Sequence, residues 1–219
     1  MILTNRQITE AYRAGDISIE PFDENQVQAA TYDLRVGEQA ATTSAKKVIN
    51  VREAGYFLLQ PGDFGVVTTF EILRVGPQYA GRFGLRSKYA RKGLIATTGP
   101  QLDPGYHGRL MIGITNLTPK PVSLPYKDDL LTVEFHRLEE ASTKPYCGPY
   151  QDRLTLGPEE IESITETEGM ALSEMLTTLR ALSSNVASLA TEVKTLKWLV
   201  PLIVAVGFSV VGLVVALKK

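Results

Sequence analysis

Two hydrophobic patterns divide this chain. Through residue 155 the apolar positions come in short runs, many alternating with polar ones, as in 55–75 (GYFLLQPGDFGVVTTFEILRV), 108–117 (GRLMIGITNL) and 121–138 (PVSLPYKDDLLTVEFHRL). Turn signals separate the runs: Pro61-Gly62-Asp63, Thr98-Gly99-Pro100, Asp103-Pro104-Gly105 and Thr118-Pro119. Short strands at this spacing, with few helical stretches among them, predict a mainly β domain, an antiparallel sandwich or barrel. One helix is expected near the start, where Thr4 caps a segment with Ile8, Ala11 and Tyr12 on one face.

Beyond residue 156 the pattern changes. Residues 157–170 are acidic and polar and read as a linker or the start of a helix. Apolar residues then fall at Leu172, Met175, Leu179, Leu182, Val186, Leu189, Val193, Leu196 and Val200, in alternating steps of three and four. That a/d register predicts a parallel coiled coil in preference to an amphipathic helix packed on the β domain. Leu at the first two a positions and Val at the later ones leave two and three strands both open. Residues 198–217 (WLVPLIVAVGFSVVGLVVAL) carry no charge. A helix of that length rises about 30 Å, the thickness of a bilayer core. Trp198 with Lys197 at one edge, and Lys218 with Lys219 at the other, sit where interfacial anchors belong. The expected organisation is a β domain over 1–155, a linker over 156–170, a coiled-coil helix over 171–197 and a transmembrane helix over 198–217. The N-terminus has no apolar run suited to a secretory signal. A membrane-bound, tail-anchored protein with its N-terminal domain in the cytoplasm is therefore expected, although the basic residues on both sides of the span do not fix its orientation.

Charge and composition narrow the chemistry. A net charge of −1 gives no reason to expect a nucleic-acid partner. The single cysteine, Cys147, forms no internal disulfide and fits a reducing compartment. One cysteine and two histidines, His107 and His136, supply no structural zinc set, and the H-x-E…P-C-x-x-C signature of zinc base deaminases is absent.

The densest chemistry lies in residues 81–116. A basic, hydroxyl-bearing segment (Arg86, Ser87, Lys88, Tyr89, Arg91) precedes a lone carboxylate, Asp103, set in a Gly/Pro turn. Cations and a hydroxyl suit polyphosphate oxygens, and a neighbouring carboxylate suits a water or a metal ion.

Four segments in order resemble the dCTP deaminase/dUTPase superfamily: TYDLRVG at 31–37, LRSKYARKGL at 85–94, LDPGYHG at 102–108 and YCGPYQ at 146–151. The resemblance covers residues 1 to about 155 and implies a dUTPase-like β-barrel or jelly roll, a homotrimer with sites between subunits, and a pyrimidine deoxynucleoside triphosphate as ligand. By the resemblance, Arg86, Ser87, Lys88 and Arg91 meet the phosphates, while Gly99, Gln101 and Tyr106 meet the nucleoside. Asp103 is the catalytic carboxylate that orients water, and Tyr150 with Gln151 belongs to a closing tail. Mg²⁺ comes with the nucleotide and has no protein cage.

This sequence also departs from the family. The deaminase branch carries a Glu ten residues after the Asp of LDPGYHG, and here that position is Gly113. Its neighbours along the chain, Leu110, Met111, Ile112, Ile114 and Thr115, carry no acid, and a missing general acid/base is typically worth about 10²–10⁴ in rate. The residues favour hydrolysis of dUTP or a related dNTP to the monophosphate and pyrophosphate over deamination. The alternative is a catalytically silent nucleotide sensor or effector signalling through the coiled coil to the membrane span.

Overall fold

The alternating runs fold as strands in this computed structural model, which describes residues 1–166 and 172–217. The chain divides into two units, Met1–Ser173 and Glu174–Lys219. In the first, α1 (Asn5–Ala14) leads into β1 (Ile17–Glu20), β2 (Tyr32–Thr42), β3 (Val48–Asn50), α2 (Val51–Ala54), β4 (Tyr56–Leu59), β5 (Phe64–Thr69), β6 (Ile72–Val75) and β7 (Tyr79–Leu85). There follow α3 (Ser87–Ala90), β8 (Leu94–Ala96), β9 (Gln101–Leu102), β10 (His107–Gly108), β11 (Met111–Asn116), β12 (Val122–Pro125), β13 (Asp129–Arg137) and α4 (Pro158–Glu166).

Helix α1 forms where the pattern placed it. Thr4 is its N-cap, Gln7 Oε1 accepts the Thr4 backbone N–H at 2.9 Å, and Ile8 and Ala11 are buried. The strands pair antiparallel. The main, curled sheet runs β8-β11-β5-β2-β13-β7-β9 with β3 beside β2; β1-β6-β10 and β4-β12 make two smaller sheets. The core lies between them and includes Tyr32, Leu34, Leu59, Leu73, Ile112, Leu131 and Phe135, all fully buried. Burial alternates along β4 and β12, with Phe57, Leu59, Val122 and Leu124 facing in and Tyr56, Leu58, Ser123 and Pro125 facing out, as in strands with one solvated face. Strand β2 is buried on most positions because it sits inside the main sheet.

The early motif 31–37 is structural. Arg35 donates through its backbone N–H and Nε to Glu71 at 2.9 and 2.6 Å. The Tyr32 hydroxyl accepts the Asp23 N–H at 3.0 Å, and burial pushes it up to about 12. Gly37 lies so close to β5 that a Cβ would collide with the carbonyl oxygens of Thr68 and Thr69.

Two buried polar side chains lock the ends of β5 and β11. Asn116 Nδ2 donates to the carbonyls of Leu59, Gln60 and Lys120 at 2.9, 3.1 and 2.9 Å, and its Oδ1 accepts the Thr118 N–H at 2.9 Å. Asp63 accepts from Thr43 Oγ1, Ser44 Oγ and the Gln60 N–H at 3.0, 2.7 and 2.8 Å.

The segment read as a linker or the start of a helix forms α4. Ile164 and Leu156 bury against Ala41, Val66 and Met111, with Phe64 alongside. Helix α5 (Leu172–Leu217) begins at the end of the first unit and makes up the described part of the second, with Pro201 inside it. The seam residues Leu179, Leu182, Val186, Leu189, Val193, Leu196 and Val200 share its surface at 50–58% exposure. Among the described residues no helix is long and apolar enough to cross a membrane. The expected span follows the α5 backbone, with the side chains of 202–206 and 208–217 outside the described residues, as are Lys218 and Lys219.

Candidate functional site

Asp103 sits in the turn between β9 and β10, and that turn is fastened from several sides. Gly105 takes φ +87°, where a Cβ would also press on Pro145. The Gly105 N–H donates to the Val75 carbonyl at 2.9 Å, and the Tyr146 N–H to the Pro104 carbonyl at 2.7 Å. Gln151 bridges the turn: its Oε1 accepts the His107 N–H at 3.2 Å and its Nε2 donates to the Gly105 carbonyl at 3.1 Å. His107 Nδ1 meets Asp152 Oδ1 at 2.5 Å.

Tyr106 is 6% exposed; its hydroxyl donates to the Arg109 carbonyl at 2.8 Å, and its ring lies 5.6 Å from that of Tyr146. Burial pushes the Tyr106 hydroxyl well above its ordinary pKa, so it stays a neutral donor. Asp103 itself is exposed.

These elements border a cavity of about 570 Å³. Its floor is apolar, from Phe64, Val66, Phe83, Leu102, Leu110, Met111 and Ile112; Thr97, Thr98, Gly99, Gln101, Asp103, Tyr106, Gly113, Tyr146, Tyr150, Glu159 and Glu160 complete it. The volume falls within the ordinary range for small-molecule sites. Three carboxylates line the cavity, and no Lys, Arg or His is among its described lining residues. Such a lining suits a flat, largely uncharged ring. It offers no counter-charge to a polyphosphate.

The structure therefore separates the residues expected to act together. Gly99, Gln101, Asp103, Tyr106 and Tyr150 line one cavity, whereas Gln151 braces the turn behind it. Arg86, Ser87, Lys88 and Arg91 are absent from the lining and lie on and around α3. Arg86 Nη1 pairs with Asp33, whose side chain is 1% exposed against 33% for Arg86. Lys88 Nζ lies 2.6 Å from Asp128 Oδ1, and the buried Tyr89 donates its hydroxyl to Asp128 Oδ2. Burial would raise the Asp128 carboxyl, but the hydrogen bonds from Lys88 and Tyr89 hold it below its ordinary value. Two of the four expected phosphate residues are thus tied within the chain, while Ser87 and Arg91 are exposed.

At Gly113 the reason for glycine is space. A Cβ there would stand 2.5 Å from Thr97 Oγ1, 3.1 Å from Phe64 Cε2 and 3.3 Å from Thr98 Oγ1. Thr98 Oγ1 also accepts the Gly113 N–H at 2.7 Å. A Glu at this position would have to displace both threonines. The carboxylates that do reach the cavity, Glu159 and Glu160, come from α4. Sequence reasoning passed over them, although Pro158 followed by two acids is a helix-start signal. Glu160 Oε1 takes Arg153 Nη1 at 2.7 Å, and its Oε2 takes the Gly157 N–H at 2.7 Å. Among the described residues, no group of three or more His, Cys, Asp or Glu is placed to hold a metal ion.

Comparison with known proteins identifies the family. A family model described as dCTP deaminase-like matches residues 2–138. A dCTP deaminase of Thermococcus sibiricus is 38% identical over 151 residues, 69% of this chain and 92% of the relative. A dUMP-forming dCTP deaminase of Aquifex aeolicus is 28% identical over 171 residues, 74% of this chain and 95% of the relative. The crystal structure of 2'-deoxycytidine 5'-triphosphate deaminase from Agrobacterium tumefaciens matches with a TM-score of 0.54 at 19% identity, over 76% of this chain and 54% of that one. The last likeness concerns the fold, and this chain spans about half the length of that solved chain. With its family match across 2–138 and its four motifs in order, this chain belongs to the dCTP deaminase-like family, within the dCTP deaminase/dUTPase superfamily.

Proposed function

We propose that the cavity receives the nucleoside end of a pyrimidine deoxynucleoside triphosphate, and that the chain hydrolyses dUTP or a related dNTP to the monophosphate and pyrophosphate. The observation that carries this reading is the convergence of Gly99, Gln101, Asp103 and Tyr106 on one apolar-floored cavity. A cavity without a cation needs its phosphate partners from elsewhere. In a homotrimer, the segment Arg86, Ser87, Lys88 and Arg91 of one copy serves the cavity of the next. The dUMP-forming relative is named for a product that has lost two phosphates as well as an amino group, which supports the hydrolytic half of the reaction.

In the proposed step Asp103 orients a water for in-line attack at the α-phosphorus. The water oxygen bonds to phosphorus, the bond to the β-phosphate oxygen breaks, and pyrophosphate leaves with that electron pair. Asp103 accepts the water's proton and passes it to solvent. Mg²⁺ brought in with the nucleotide would add charge neutralisation at the phosphates. Deamination is left out because the space beside Gly113, where the family's Glu is expected, is taken by Thr97, Thr98 and Phe64.

The test is pyrophosphate release by the full chain from dUTP, dCTP and the remaining dNTPs. Asp103→Asn is expected to abolish release and leave nucleotide affinity within about threefold. Absence of turnover with every pyrimidine triphosphate refutes the hydrolase.

A second reading, a nucleotide sensor, is favoured by one observation: α4, which supplies Glu159 and Glu160 to the cavity, is the last element before α5. In that reading occupancy is passed to a coiled coil built on the seam from Leu179 to Val200. The apolar stretch 198–217 anchors the protein in a lipid membrane, with the β domain on the cytoplasmic side. Saturable nucleotide binding without turnover, in vesicles that retain the full chain, is its expected signature.

A further inference from the structure

One guanidinium stands directly behind the acidic side of the cavity. Arg153 Nη1 lies 2.7 Å from Glu160 Oε1, its Nη2 lies 3.6 Å from Glu159 Oε2, and its Cζ lies 5.3 Å from the Tyr150 ring centroid. All three partners line the cavity. The Arg153 backbone is pinned independently: its carbonyl accepts the Arg109 N–H at 2.8 Å, and a parallel bridge joins it to Gly108. The Arg153 backbone is thus held by contacts that do not involve α4.

We propose that Arg153 is a phosphate-binding residue held masked by Glu159 and Glu160, and that a phosphate-bearing ligand in the cavity displaces those carboxylates and unseats the first turn of α4. The proposal rests on the nucleotide reading above and adds to it a residue and a means of regulation. A planar guanidinium fork accepts a phosphate on the same geometry as a carboxylate, so the two ligands compete for it. The sign of the coupling follows from charge. Asp103, Glu159 and Glu160 oppose an anion in the cavity, and withdrawal of the α4 turn removes two of those charges while freeing one cation. The rest of the α4 seat is small, Ile164 and Leu156 on Ala41, Val66 and Met111. Residues 153–166 lie beyond the stretch that the family model matches, 2–138.

The experiment compares calorimetric binding of α,β-imido-dUTP and of deoxyuridine to the full chain, its R153Q variant and its E159Q/E160Q variant. Thermal melts confirm that each variant is folded. R153Q is expected to weaken α,β-imido-dUTP by about tenfold, E159Q/E160Q to strengthen it by several-fold, and both to leave deoxyuridine within about threefold. Hydrogen exchange of the α4 amides accelerates with α,β-imido-dUTP and is unchanged by deoxyuridine. I164A, which loosens α4 without altering any charge, also strengthens α,β-imido-dUTP, and it serves if either charge variant fails to fold. A clasp with only a structural role shifts R153Q and E159Q/E160Q in the same direction; that result, or slowed α4 exchange with α,β-imido-dUTP, overturns this proposal and leaves the nucleotide reading standing. No binding of α,β-imido-dUTP to the parent chain or any variant overturns both.

Discussion

Arg86→Ala tests whether the basic segment is a free phosphate clamp or a part of the fold. Asp33 is 1% exposed, and apart from the Arg86 guanidinium neither of its oxygens has a hydrogen-bond partner among the described residues. Removing Arg86 strands an ionised carboxylate in the interior, and breaking a buried pair from one side costs about 3–5 kcal/mol. The value belongs at the lower end, because Arg86 is itself a third exposed. Against a total stability of about 5–15 kcal/mol this is a large fraction. At about 2–4 °C per kcal/mol for a chain of this size, the melting midpoint falls by roughly 10 °C. Asp33→Asn costs less, about 1 kcal/mol, because the arginine left behind retains access to water. The double variant D33N/R86A then regains most of what R86A loses, since no buried charge remains. Urea and thermal unfolding of the four proteins measure the cycle. An R86A variant that melts within about 2 °C of the parent, or a double variant whose losses simply add, refutes the structural role of the pair. It also returns Arg86 to the phosphates alone.

Three further outcomes follow from the same geometry. Asn116→Asp turns one amide that donates to three carbonyls into a carboxylate facing them, and is expected to destabilise by at least about 3 kcal/mol in urea unfolding; a loss below about 1 kcal/mol speaks against the lock. Asp128 has its carboxyl held low by Lys88 and Tyr89 despite burial. A lowered folded-state pKa gives stability that is complete above the unfolded value of about 3.9 and lost as pH falls through the folded one. Asp128→Asn should therefore be less stable than the parent at pH 7 and converge on it as the pH drops below about 4; a gap that persists at low pH is the contrary result. Gly113→Glu pushes against Thr97 Oγ1 at 2.5 Å and should cost about 1–3 kcal/mol, part of which Thr97→Ala restores; a G113E variant as stable as the parent would show that the threonines yield freely.

What the sequence made legible was local. Helix α1 could be read from a cap and three positions on one face, all within one short segment. The strands followed from alternation and turn residues. The turn bearing Asp103 and Tyr106 was legible because its Pro, Gly and aromatic residues lie within a few positions of each other. The pairing of Arg86 with Asp33 was not, since it joins α3 to a strand placed far earlier in the chain, and no periodicity links the two. The same limit applied to Gly113. Scanning along β11 finds no acid, because alternation describes one strand and its two faces. The cavity wall, however, is built across β11, the turn after β8 and the first turn of α4, and it brings Glu159 and Glu160 to the cavity that Gly113 also lines. The family match ends at residue 138, before α4 begins. Two chains alike over that span can therefore present different charges to the same cavity, because Glu159 and Glu160 come from an element beyond it.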